Sequence, residues 1–119
     1  MKKVEAVFRP EKLENVAASL DAAGFTGFTV MDARGHGRSA EKVGEWRGVA
    51  YEMLVTHKLQ ISVIAEDNEV EAVCNAIAAG AATGSVGDGL ITVVDVAGVF
   101  AIRSGPLTSG LPSATPAPG

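Results

Sequence analysis

HKLQISVIAEDNEVEAVCNAIAAGAATGSVGDGLITVVDV, residues 57–96, decides the fold. In its first nine residues, His57–Ala65, Leu59, Ile61 and Val63 alternate with Lys58, Gln60 and Ser62, the period of a half-buried strand. Val70, Val73, Cys74, Ile77 and Ala81 then recur at helical spacing and predict an amphipathic helix. Asn68 with Glu71 three residues on has the form of a capping box at the start of that helix. Thr83–Gly89 (TGSVGDG) is a Gly-rich loop, and Leu90–Val96 (LITVVDV) is a second, strongly apolar strand.

The N-terminal stretch repeats the pattern. Val4–Phe8 reads as a short strand, and Arg9-Pro10 follows, with proline well placed in the first turn of a helix. Leu13, Val16, Ala17 and Leu20 fall on one helical face, and Gly24 stops the helix. Thr26–Ala33 (TGFTVMDA), β-branched and aromatic, predicts the next strand. Between the two halves lies a long, polar, glycine-punctuated segment, too long for an ordinary connection, and therefore read as functional, mobile or both. Val99–Arg103 is a candidate short strand. From Gly105 to Gly119 the chain is rich in Pro, Gly and Ser and reads as a flexible tail.

The order β-α-β, long loop, β-α-β is that of the ferredoxin-like double βαβ: an α+β domain with a four-stranded antiparallel sheet and both helices on one face. The other face would carry apolar residues with nothing over it, which calls for sheet packing in an oligomer. With 119 residues there is room for one core. Ten Lys and Arg against 14 Asp and Glu give a net charge of −4, which lacks the basic footprint of a nucleic-acid binder. No apolar run is long enough to insert in a membrane. Glu5 falls where a signal peptide would be apolar, and the single Cys74 forms no internal disulfide, so a cytoplasmic location is expected. His36, His57 and Cys74 have no metal-ligand spacing, and no protein-only metal site or catalytic triad is expected.

Across residues 1–104 the chain resembles the PII signal-transduction proteins. MKKVEAVFRPEKLENV (residues 1–16) resembles their first strand and helix, and Arg34-Gly35-His36-Gly37-Arg38 resembles the turn into their long T-loop, here residues 36–55. Trp46-Arg47-Gly48-Val49-Ala50-Tyr51 resembles the segment that carries their modifiable tyrosine, and Thr83–Gly89 resembles their B-loop. The resemblance implies a homotrimer that is not an enzyme. It implies adenine nucleotides in the clefts between subunits, with magnesium accompanying ATP. It also implies a T-loop that docks on a protein partner, a membrane transporter or a metabolic enzyme in nitrogen or carbon metabolism.

On pattern alone Asp88-Gly89 reads more simply as a turn before a strand. The resemblance instead makes Gly87, Asp88 and Gly89 a phosphate cradle, for which glycines and consecutive backbone amides suit. It adds Thr29 at the adenine end, Gly35 and Gly37 at the loop entry, and Arg38 and Arg103 as cations, Arg103 from the neighbouring subunit. Lys58 is implied, with Arg38, to hold a small anionic effector. Trp46, Arg47 and Tyr51 are candidates for partner contact. Three ligand-site positions depart from the family: Leu90 stands where a phosphate-binding lysine is carried, Ala101 where the first of two arginines is, and Ser39 where a magnesium-binding glutamine is. Hydrogen bonds to charged groups contribute about 1.5–3 kcal/mol each. Losing two weakens a triphosphate by a factor on the order of hundreds. AMP or ADP is therefore expected ahead of ATP. The alternative is a divergent sensor of a small anion such as bicarbonate, or of a metal, that no longer reads ATP and 2-oxoglutarate.

Overall fold

Val4, Ala6 and Phe8 point to one side of strand β1 (Lys2–Phe8) and are almost completely buried. Such burial needs a strand on each side and helices above, and the computed structural model supplies both. It describes residues 1–36, 43–46, 49–52 and 55–108. Helix α1 (Leu13–Ala22) leads to β2 (Thr29–Gly35), then a separate hairpin of β3 (Val43–Trp46) and β4 (Val49–Glu52). Strand β5 (Thr56–Ala65), helix α2 (Val70–Ala81) and β6 (Gly89–Asp95) follow, and a small hairpin of β7 (Phe100–Ala101) and β8 (Gly105–Pro106) closes the described chain. The main sheet runs β2-β5-β1-β6, antiparallel throughout. This is the α+β arrangement expected.

The register sorts the two faces. Val4 lies opposite Val63 and Val93, Ala6 opposite Ile61 and Ile91, and Phe8 opposite Leu59 and Gly89. Val4, Ala6, Phe8, Leu59, Ile61, Val63 and the partly buried Ile91 meet Val16 and Leu20 of α1 and Val73, Ala76, Ile77 and Ala81 of α2 in one core, while Val93 stays exposed. The helices cross closely because Gly80 presents no side chain. A Cβ there would lie 2.7 Å from the Asn15 carbonyl oxygen and the Val16 Cα. Nearby, the Ser19 hydroxyl donates to the Ala76 carbonyl at 2.6 Å.

Local details differ from the sequence expectations where tertiary partners intervene. Strand β2 starts at Thr29, not Thr26, because the preceding residues finish α1. The Gly24 amide bonds Asp21 O and the Phe25 amide bonds Leu20 O, a Schellman closure, and Phe25 and Phe28 pack on the core. The capping box is formed by Glu66 and Glu69 on a 3-10 turn (Asp67–Glu69), not by Asn68 and Glu71. Residues 105–108, read from the sequence as the start of the tail, are structured: Gly105–Pro106 pair with β7, the Leu107 amide bonds Val99 O, and the Val99 amide bonds Thr108 Oγ1, while the rest of the expected tail, 109–119, lies outside the described residues. Cys74 is half-buried against the core. Within the long loop, residues 43–46 and 49–52 form a two-stranded ladder.

Gly80→Val should destabilise the domain by about 1–3 kcal/mol, the usual penalty of overpacking, because backbone rather than a yielding side chain faces it. Urea unfolding of the variant against the parent measures this.

Candidate functional site

The side of the sheet away from the helices carries Thr29, Met31, Ala33, Lys58, Gln60, Ile64, Val7, Leu90 and Val94, as the cross-strand pairs show. Met31, Ile64, Leu90 and Val94 are exposed on it. At one end, β6 opens with Gly89, whose φ of +111° suits glycine alone. A Cβ at Gly89 would fall 1.8 Å from the Val7 carbonyl oxygen, so Gly89 is fixed by β1 whatever it binds.

The loop before it, residues 83–88, is organised by one carboxylate. Asp88 Oδ2 accepts from the Thr83 amide at 2.8 Å and the Gly84 amide at 3.0 Å. Asp88 Oδ1 accepts from the Thr83 hydroxyl and, at 3.3 Å, from Arg9 Nε. Thr83 Oγ1 takes the Ser85 amide at 3.2 Å. The Thr83 hydroxyl above all, then the Thr83 and Gly84 amides and Arg9, hold the Asp88 carboxyl well below its ordinary range against a smaller opposing effect of burial. The amides of Val86 and Gly87 have no partner among the described residues. Adjacent unpaired amides of this kind suit an anion.

Two cations brace the loop's carbonyls. Arg9 Nη2 donates to Val86 O at 2.7 Å, and Lys58 Nζ donates to Gly87 O at 2.7 Å. Lys58 is 8% exposed, not the open strand lysine that alternation suggests. Gly35 abuts it: a Cβ there would touch Lys58 Cγ at 3.6 Å. The structure thus gathers Gly35, Lys58, Gly87, Asp88 and Gly89 at one end of the open face. Thr29 shares that face from the other end of β2, opposite Ser62. Leu90 and Val7 help line an apolar cleft of about 260 Å³ beside Asp88, so position 90 gives a wall and no charge.

Arg103 sits exposed in the turn between β7 and β8 and makes no hydrogen bond or ion pair among the described residues. Trp46 ends β3 opposite Val49, and Tyr51 lies in β4 opposite Gly44. Gly37, Arg38, Ser39 and Arg47 lie outside the described residues. Arg9 and Thr83 are the participants that the sequence reading missed. Both lie in stretches that carry the family resemblance, Thr83 in TGSVGDG and Arg9 in residues 1–16, but neither was singled out, because only the pairing of β1 with β6 brings Arg9 to Asp88. No group of three or more His, Cys, Asp or Glu among the described residues could hold a metal ion. No helix among them is long and apolar enough to cross a membrane.

The chain is thus a two-layer α+β domain with a braced glycine loop at the rim of an open sheet face. The family model for nitrogen regulatory protein P-II matches residues 1–106, and the chain belongs to that family. It is 43% identical to the nitrogen regulatory protein P-II of Microchaete diplosiphon over 105 residues, 88% of this chain and 94% of that protein. A second such protein, P-II 2 of Methanothermobacter thermautotrophicus, is 40% identical over 105 residues, 88% of this chain and 91% of that one. Among solved structures, Arabidopsis thaliana PII bound to citrate superposes with a TM-score of 0.71 at 34% identity, covering 87% of this chain and 82% of that one. PII proteins are signal-transduction regulators rather than enzymes, and they respond to small-molecule effectors.

The folded pKa of Asp88 lies below the unfolded value, so its stabilising contribution is complete above about pH 4 and is lost as pH falls through the lower folded value. Asp88→Asn should lower the melting temperature at neutral pH and flatten the decline of stability below about pH 4. Melting curves of both proteins across the acid range check this.

Proposed function

We propose that the protein is a homotrimeric cytoplasmic regulator that binds an adenine nucleotide, AMP or ADP in preference to ATP, in clefts between subunits. Nucleotide binding is passed through residues 36–55, with Trp46, Arg47 and Tyr51 as contact residues, to a protein partner, a transporter or a metabolic enzyme. The observation that carries this reading is the braced loop: Asp88 closes it internally while the amides of Val86 and Gly87 are left for an anion. Gly87, Asp88 and Gly89 then form the phosphate end of the site, with Gly35 and Gly37 at the loop entry and Thr29 toward the adenine. Arg38 comes from the base of the loop and Arg103 from the neighbouring subunit. Leu90 in the cleft wall and Ala101 in β7 supply no charge to a third phosphate, which supports the shorter nucleotides. Magnesium would accompany ATP.

A small anion at Lys58 and Arg38 is the second reading. It is supported by the placement of the Lys58 ammonium beside Gly87, and by citrate in the Arabidopsis relative. Bicarbonate and citrate are the probes for it.

The trimer is supported by the open face. Met31, Ile64, Leu90 and Val94 lie 45–63% exposed on a sheet surface with no helix of the described residues over it. Sedimentation should give three times the chain mass, and Ile64→Glu should shift it toward one chain.

Calorimetry with AMP, ADP and ATP at matched magnesium should show AMP or ADP binding more tightly than ATP. No heat from any of the three at millimolar concentration would sink the nucleotide reading. A thermal shift with bicarbonate or citrate and none with nucleotide would favour the second.

A further inference from the structure

Arg9 precedes a proline, and such residues are driven into extended backbone. Its φ of −66° and ψ of 134° are extended. Arg9 therefore carries β1 one residue past Phe8, which lies opposite Gly89 in β6. That puts its side chain beside Asp88, 79 positions along the chain. Both side chains are largely withdrawn from water, Arg9 to 12% and Asp88 to 25% exposure.

Two contacts that Arg9 makes with the loop have separate effects. The first, Nε to Asp88 Oδ1 at 3.3 Å, sets a positive charge against the loop's only carboxylate. Without it, Asp88 would repel any incoming anion. The second, Nη2 to Val86 O at 2.7 Å, draws that carbonyl toward β1. In a planar trans peptide the N–H points opposite to the C=O. The Gly87 N–H, which belongs to the same peptide unit as Val86 O, is thereby turned away from Arg9.

We infer that Arg9 is a positioning residue of the nucleotide site: it neutralises Asp88 and aims the Gly87 N–H at the bound anion. This rests on the nucleotide reading and adds to it a residue that shapes the loop around the anion. Arg9 acts through the loop and touches no ligand itself.

The test uses the full chain with Arg9→Met, Arg9→Lys, Asp88→Asn and the Arg9→Met/Asp88→Asn double variant. In the ligand-free protein, hydrogen exchange at the Thr83 and Gly84 amides should quicken about tenfold or more in Arg9→Met, the scale of a lost charge-assisted hydrogen bond. Exchange at Val73 in the core should not change. Arg9→Lys, which keeps the charge but not the two-pronged reach, should fall between. ADP affinity by calorimetry should drop about tenfold or more in Arg9→Met and recover in part in Arg9→Lys. The effect of Arg9→Met should shrink in the Asp88→Asn background, since the two act as a unit.

Unchanged exchange at Thr83 and Gly84, or strictly additive effects in the double variant, overturns the inference. If the parent binds ADP and Arg9→Met binds it equally well, the role of Arg9 falls and the nucleotide reading stands. If the parent binds no ADP, the nucleotide reading falls, and with it the inference that Arg9 serves such a site; exchange then reports only whether Arg9 holds the loop.

Discussion

The pairing of β1 with β6 governs the molecule. It sets Phe8 opposite Gly89, so close that no side chain fits between Gly89 and the Val7 carbonyl. From that one register follow the burial of Val4, Ala6 and Phe8 beneath the helices and the meeting of Arg9 with Asp88. The shape of the loop between α2 and β6 follows in turn. A slip of one residue would turn every core side chain of β1 to the open face and carry Arg9 away from its carboxylate. Core and site therefore share a single register constraint.

Much of the fold was legible because its elements announce themselves locally. The alternation of Leu59, Ile61 and Val63 and the helical spacing of Val73, Ile77 and Ala81 need no knowledge of partners, and all six are buried as their periods require. The errors fall where a neighbour decides. Thr26 and Phe28 have strand propensity, but the Schellman closure and the two phenylalanines hold that segment at the end of α1. Asn68 and Glu71 match the capping pattern, yet the turn begins two residues earlier and Glu66 and Glu69 take the role. Gly105 and Pro106 look like tail, and only pairing with Phe100 and Ala101 makes them strand.

The site divides in the same way. TGSVGDG marks a loop from composition alone, and the likeness to PII proteins gives it a meaning. That Asp88 would spend its oxygens on Thr83, Gly84 and Arg9 was not legible, because nothing in the spacing of residues 83–88 says where a carboxylate turns. Lys58 is a similar case. Strand alternation places it on the solvent side, but the end of the sheet folds the loop over it and its ammonium meets the Gly87 carbonyl.

The hairpin of β3 and β4 forms its own ladder and shares no strand with the four-stranded sheet. Its pairings can therefore be rewritten by mutation without touching the register that holds the core. A lineage is free to trade one partner for another there, while β1, β6 and the braced loop stay under constraint. Divergence in such a protein should run fastest between positions 43 and 52 and slowest where Phe8 faces Gly89.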